Sequence, residues 1–179
     1  MTINMDLDVL KKMAQQGDAE AEFNLGWVYA YGEGVVRDME EAGKWIRKAA
    51  EQGNAKAQGA LGAMLAAGQG MAKDSTAAVY WLRKAAEQGV PQAQYNLAIA
   101  YAKGDGVAKD NAESVKWIQK AAEHGQANAL NILNSSQQLA GHVLKDLKAE
   151  TTSRCAVKES GCLIAVIFMI LPVFLAIFH

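Results

Sequence analysis

Cysteine is almost missing from this chain. Its 179 residues hold 2, and neither stands before Cys155. A disulfide framework or a thiolate metal centre is therefore excluded from everything that precedes that position. The 3 histidines, His124, His142 and His179, are scattered, and none shares a helix face with a second histidine or a cysteine. No metal site, cofactor site or nucleophile–base pair is expected from them. The 2 prolines leave long helices open. Neither sign of charge is in excess: 18 Lys and Arg stand against 19 Asp and Glu. A nucleic-acid surface needs a basic surplus to displace counterions, so that partner class is not expected. Met1 to Asp8 carry no basic segment, and the stretch after them is charged and amphipathic. No secretory leader is expected, and the setting implied is a reducing cytosol.

What is present is repetition. A 36-residue pattern runs three times without a gap, as 18–53, 54–89 and 90–125. The same residue fills 12 columns in all three copies, among them Leu25/61/97, Gly32/68/104, Gly34/70/106, Asp38/74/110, Trp45/81/117, Lys48/84/120 and Gly53/89/125. Self-similarity of this period means stacked supersecondary units that bury a common core between neighbours. The alanine-rich composition, 51% apolar overall, suits closely packed helices.

Each copy reads as two helices. In the first, Ala21, Leu25 and Tyr29 recur at i, i+4 and i+8 as one buried face. Asp18 and Asn54 stand at its N-cap, and Pro91 takes the first helical position of copy three. The Gly-x-Gly that follows suits a tight turn of positive φ. With no preceding strand and no third glycine it is not read as a phosphate loop. The second helix opens at Asp38, Asp74 and Asp110. Glu41 and Glu113 complete a capping-box pattern in two copies. Trp45, Trp81 and Trp117 are assigned to the core between helices, and Gly53, Gly89 and Gly125 to the helix end. Glu51, Glu87 and Glu123 each follow a lysine by three residues, which reads as a solvated ion pair.

Around the copies, 1–17 align with the end of a repeat and read as an N-terminal half-repeat capping helix. Residues 126–150 keep the register weakly, with Ala129 and Leu133 where Ala93 and Leu97 would fall, and read as degenerate C-terminal capping helices. Residues 151–160 form a polar linker. Composition then changes abruptly: Cys162 to Phe178 hold 17 residues without a charge, 12 of them Leu, Ile, Val or Phe. As a helix they would be about 25 Å long against a ~30 Å hydrocarbon core. Residues 161–179 are accordingly expected to be a single-pass transmembrane tail anchor, with 161–178 as the membrane contact. Arg154 and Lys158 would hold the repeats in the cytoplasm. The competing reading buries this apolar helix against the solenoid or in an oligomer. Under the anchor reading Cys162 lies at the membrane edge, as an acylation site or, more plainly, a buried or interfacial free thiol.

The pattern carried by Ala21, Leu25, Gly26, Tyr29, Gly32, Gly34, Val35, Asp38, Ala42, Trp45, Lys48, Ala49, Ala50 and Gly53 resembles the Sel-one-like repeat family of tetratricopeptide-like α-solenoids. Departures are small: Ala98 for Gly26, Leu65 for Tyr29, Ser114 for Ala42. The resemblance implies an all-α fold, a short solenoid of antiparallel helix pairs, and a non-catalytic protein-interaction scaffold or adaptor. Some relatives with paired cysteines in each repeat are linked to β-lactam binding. The repeats here have no cysteine, so a hydrolase-like activity is disfavoured; a membrane oligomer driven by the tail ranks third, since a single 17-residue segment with no polar stripe makes a poor channel lining.

Columns that do not repeat are where a partner would be read. First helices generally line the concave surface of such solenoids. One line along them reads Phe23, Trp27, Tyr31 in copy one, Gly59, Ala63, Ala67 in copy two, and Tyr95, Ile99, Lys103 in copy three. Two ridges flanking a shallow valley would seat a peptide of a protein partner, with Phe23, Trp27, Tyr31, Tyr95, Ile99 and Lys103 as its contacts. The plainer alternative packs Phe23 and Trp27 on the half-repeat near Leu7, Leu10 and Met13. No small-molecule substrate is expected.

Overall fold

The computed structural model describes residues 7–138, together with 141 and 145. The remainder of the 126–150 segment, the linker and the tail at 161–179 lie outside the described residues. The chain divides into two compact units, Met1–Leu133 and Asn134–His179; the fold below is that of the first. Seven helices follow one another: α1 Leu7–Gln15, α2 Ala19–Tyr31, α3 Met39–Glu51, α4 Ala55–Ala67, α5 Ser75–Glu87, α6 Pro91–Lys103 and α7 Asn111–Glu123. Residues 127–138 are helical as well. Among the described residues no helix is long and apolar enough to cross a membrane.

The helix limits follow from their caps. Asp18 and Asn54 accept the amides of Ala21 and Ala57 at 2.8 and 3.0 Å, each satisfying a donor the helix leaves free. Asp38, Asp74 and Asp110 do the same for α3, α5 and α7. The capping box is only half formed. The amides of Asp38 and Asp110 donate to the carbonyls of Tyr29 and Tyr101, closing the turn onto the first helix. With that amide taken, Glu41 and Glu113 turn outward to Lys44 and Lys116 at 2.9 and 3.1 Å. Gly53 closes α3 at φ 93°: its amide bonds Ala50, and that of Asn54 bonds Ala49.

Within each copy the two helices pack most closely, and the second helix of one copy leans on the first of the next. Three core clusters result, each spanning the boundary between one unit and the next, and they are anchored on Leu25, Leu61 and Leu97. Ala129 is fully buried in the third, with Leu133 packed against it.

The repeated tryptophans do not all behave as expected. Trp117 is buried, whereas Trp45 and Trp81 are half-buried at the core margin. All three share a lysine three residues on. Lys48, Lys84 and Lys120 stand over the rings of Trp45, Trp81 and Trp117 at 4.0, 5.4 and 4.4 Å from ring centre. None of these lysines pairs with Glu51, Glu87 or Glu123 within 4.0 Å, which corrects the ion-pair reading. The ring face attracts the cation.

Candidate partner-binding face

The candidate residues of the first helices divide into two groups. Phe23 is 7% exposed and belongs to the second core cluster with Ile46, Ala49, Ala57 and Leu61. Trp27 packs half-buried on the same cluster. Neither joins the cluster of Leu7, Leu10 and Met13, so the half-repeat is not what covers them. They face forward, to the next copy. Phe23 meets Trp27 edge to face, ring centres 5.8 Å apart, and Trp27 stacks on Tyr31 at 5.0 Å and 7°. Tyr31, the last residue of α2, is 65% exposed.

The second group meets at a cleft. Tyr95, Ile99 and Lys103 line one wall and Ala63, Ala66 and Ala67 the other, with a volume of about 480 Å³ between them. Its floor comes from α5, through Ala78, Val79 and Leu82. Asn96 accepts the Gln92 amide at 3.0 Å at one side. Lys103 and Asp105 lie at one end, and neither forms an ion pair among the described residues. Phe23, Trp27 and Tyr31 do not line this cleft. Gly59 stands apart from it too: a Cβ there would rest 3.5 Å from Ala93 and 3.6 Å from Ala85. That position is a seat for the next first helix, and α4 packs on α6 more extensively than on α2.

The α5 floor escaped the sequence reading, which followed a single line along first helices. Ala78, Val79 and Leu82 carry the ordinary pattern of a buried second-helix face. Only the packing of α5 beneath two first helices turns them into the bottom of a cleft.

His124 has a structural position. Its Nδ1 lies 2.9 Å from Gln94 Oε1, and since Gln94 Nε2 already donates to the Ala86 carbonyl, the imidazole is the donor. Gln88 makes the matching bond to Gln58 at 2.7 Å, and Gln52 to Glu22 at 2.6 Å. Among the described residues no cluster of three His, Cys, Asp or Glu could hold a metal ion.

The Sel1 repeat matches residues 19–54, 55–90 and 91–126, one residue later than the frame used above. The chain belongs to the Sel1 repeat family. A crystallised Sel1 repeat protein from Oxalobacter formigenes is 44% identical, with a TM-score of 0.66, and the match covers 73% of this chain and 98% of that one. A protective antigen of uropathogenic Escherichia coli with an SLR fold is also 44% identical, TM-score 0.68, over 70% of this chain and 27% of its own length. The cysteine-rich protein B of Helicobacter pylori, at 23% identity and TM-score 0.54, shares the fold. No curated protein matches the chain. Sel1 repeats are in general non-enzymatic scaffolds that bind proteins, on an all-helical, tetratricopeptide-like solenoid.

Proposed function

We propose that this Sel1 repeat chain is an adaptor held at a membrane, binding a protein partner on the concave face of its first helices. The observation that carries the binding half is the cleft between α4 and α6. It is mostly apolar, yet ends on Lys103 and Asp105, which form no ion pair among the described residues. Apolar walls with a few polar groups at the margin are the usual form of a recognition site. Trp27, Tyr31, Tyr95, Ile99 and Lys103 are the contacts proposed. Phe23, being buried, serves them from beneath.

The membrane half rests on sequence: 17 uncharged residues from Cys162 to Phe178, with Arg154 and Lys158 before them. Twelve Leu, Ile, Val or Phe among them give roughly −4 to −7 kcal/mol for insertion before Pro172 is counted. The repeats would face the cytoplasm.

Two experiments test the halves separately. Fractionation compares the full chain with one ending at Ser160; the anchor requires only the full chain to sediment with membranes, and two soluble chains reject it. Crosslinking to a partner in membranes compares the unmodified chain with Trp27→Ala and Tyr95→Ala. Unchanged capture in both variants rejects the first-helix face.

A further inference from the structure

One exposed row on the second helices departs from its neighbours. On α3 and α7 two outward columns hold ion pairs, Glu41 with Lys44 and Glu113 with Lys116. On α5 the same columns hold Ala77 and Tyr80. Tyr80 is 53% exposed. Its ring is held in place, edge to face with Trp81 at 5.2 Å and 78°, with the Lys84 ammonium 4.8 Å from its centre. A fixed aromatic ring on an open surface loses little entropy on contact. An apolar row thus lies between two charged rows, one repeat away on either side. None of these residues lines the α4–α6 cleft.

The order of charges within the rows decides what fits them. In both charged rows the carboxylate precedes the lysine by three residues, about 4.5 Å along the helix. A surface covering all three rows must set a lysine against each glutamate and a glutamate against each lysine. It must offer a small residue to Tyr80, and its rows must be spaced by the pitch of this solenoid. A second copy of the chain meets every condition. Turned by half a revolution about an axis along the stack, midway between the two columns, it sets Lys44 against Glu41, Lys116 against Glu113 and Tyr80 against Ala77, each in both directions. We infer that the second-helix face joins two copies of this chain in a two-fold symmetric dimer, with Tyr80 of each packed over Ala77 of the other between the charged rows. Each outer row then becomes a square of four alternating charges, a network rather than an isolated pair. Three 13-residue helices, each ~20 Å long and ~10 Å wide, offer about 600 Å² per copy, the lower end of a standard interface.

The test is sedimentation equilibrium of the full chain in detergent micelles over a concentration series. Lys44→Glu with Lys116→Glu makes the outer rows of one chain wholly acidic. Glu41→Lys with Glu113→Lys makes those of another wholly basic. The unmodified chain is expected to dimerise, and each double variant to associate at least about tenfold more weakly. Their equimolar mixture should recover the unmodified strength as a mixed dimer. Tyr80→Lys, which restores the residue of the other two copies, should also weaken association at least about tenfold, with an unchanged thermal midpoint. Should a double variant unfold, Tyr80→Lys decides alone, and undiminished association in it overturns the inference. A chain that stays monomeric overturns it too, even where Tyr80 proves to hold another protein. Double variants that dimerise as strongly as the unmodified chain place the contact elsewhere, in the tail for instance, and reject it. So does a pair of folded variants whose mixture recovers no association.

Discussion

The Cα of Gly106 lies flush against the backbone carbonyl of Ser75, so that a Cβ at Gly106 would overlap that oxygen. Gly70 meets Met39 in the same way, one copy earlier. These contacts join the turn of one repeat to the start of the preceding repeat's second helix. Gly34, in the first copy, has no such neighbour; the nearest atom is Leu7 Cδ2 at 3.8 Å.

Gly106→Ala and Gly70→Ala are therefore expected to cost more than about 3 kcal/mol, from positive φ and a backbone displacement together. Gly34→Ala carries only the φ cost, about 1–2 kcal/mol. Urea unfolding of the three variants decides it. Equal losses would mean that the turn conformation alone matters.

Glu22 is 4% exposed and stands where Gln58 and Gln94 stand in the later copies. Those glutamines donate to the carbonyls of Ala50 and Ala86 at 3.2 and 3.0 Å. A carboxylate has no N–H to give to the matching carbonyl, that of Ala14. Glu22→Gln is expected to stabilise the chain by about 1 kcal/mol, and Gln58→Glu to destabilise it by at least as much. A thermal midpoint that falls with Glu22→Gln would contradict this.

The lysines over the tryptophans give a third prediction. Lys48→Gln, Lys84→Gln and Lys120→Gln should each lose about 0.5–1 kcal/mol. Glu51→Gln, Glu87→Gln and Glu123→Gln should be close to neutral, since these carboxylates hold no ion pair within 4.0 Å. Denaturation midpoints of both sets separate ring stacking from charge pairing; equal losses would restore the pair.

Phe23 and Tyr31 share a helix line but not a role. Phe23→Ala leaves a hole in the second core cluster and is expected to cost about 3–5 kcal/mol. Tyr31→Ala, at 65% exposure, should cost within about 0.5 kcal/mol. Any partner binding lost with Tyr31 would then report a contact, whereas loss with Phe23 would report unfolding. Circular dichroism melts of both variants check the premise.

The 36-residue pattern by itself determined the helices, their caps and their order. Asp18, Asn54 and the repeated Asp38, Asp74 and Asp110 act within four residues of chain, and so do the glycines that end each helix. Local hydrogen bonds and allowed φ values are written in neighbouring residues, which is why they could be read there. The capping box was misread because the competing acceptor, the Tyr29 carbonyl, belongs to the other helix. The cleft was decided by tertiary structure alone. Ala63, Leu82 and Ile99 lie on three helices, and no periodicity along one of them says that α5 will close the space beneath the other two. Side-chain volume at one column, a tryptophan at 27 and an alanine at 63, takes its meaning only when the following helix has packed against it.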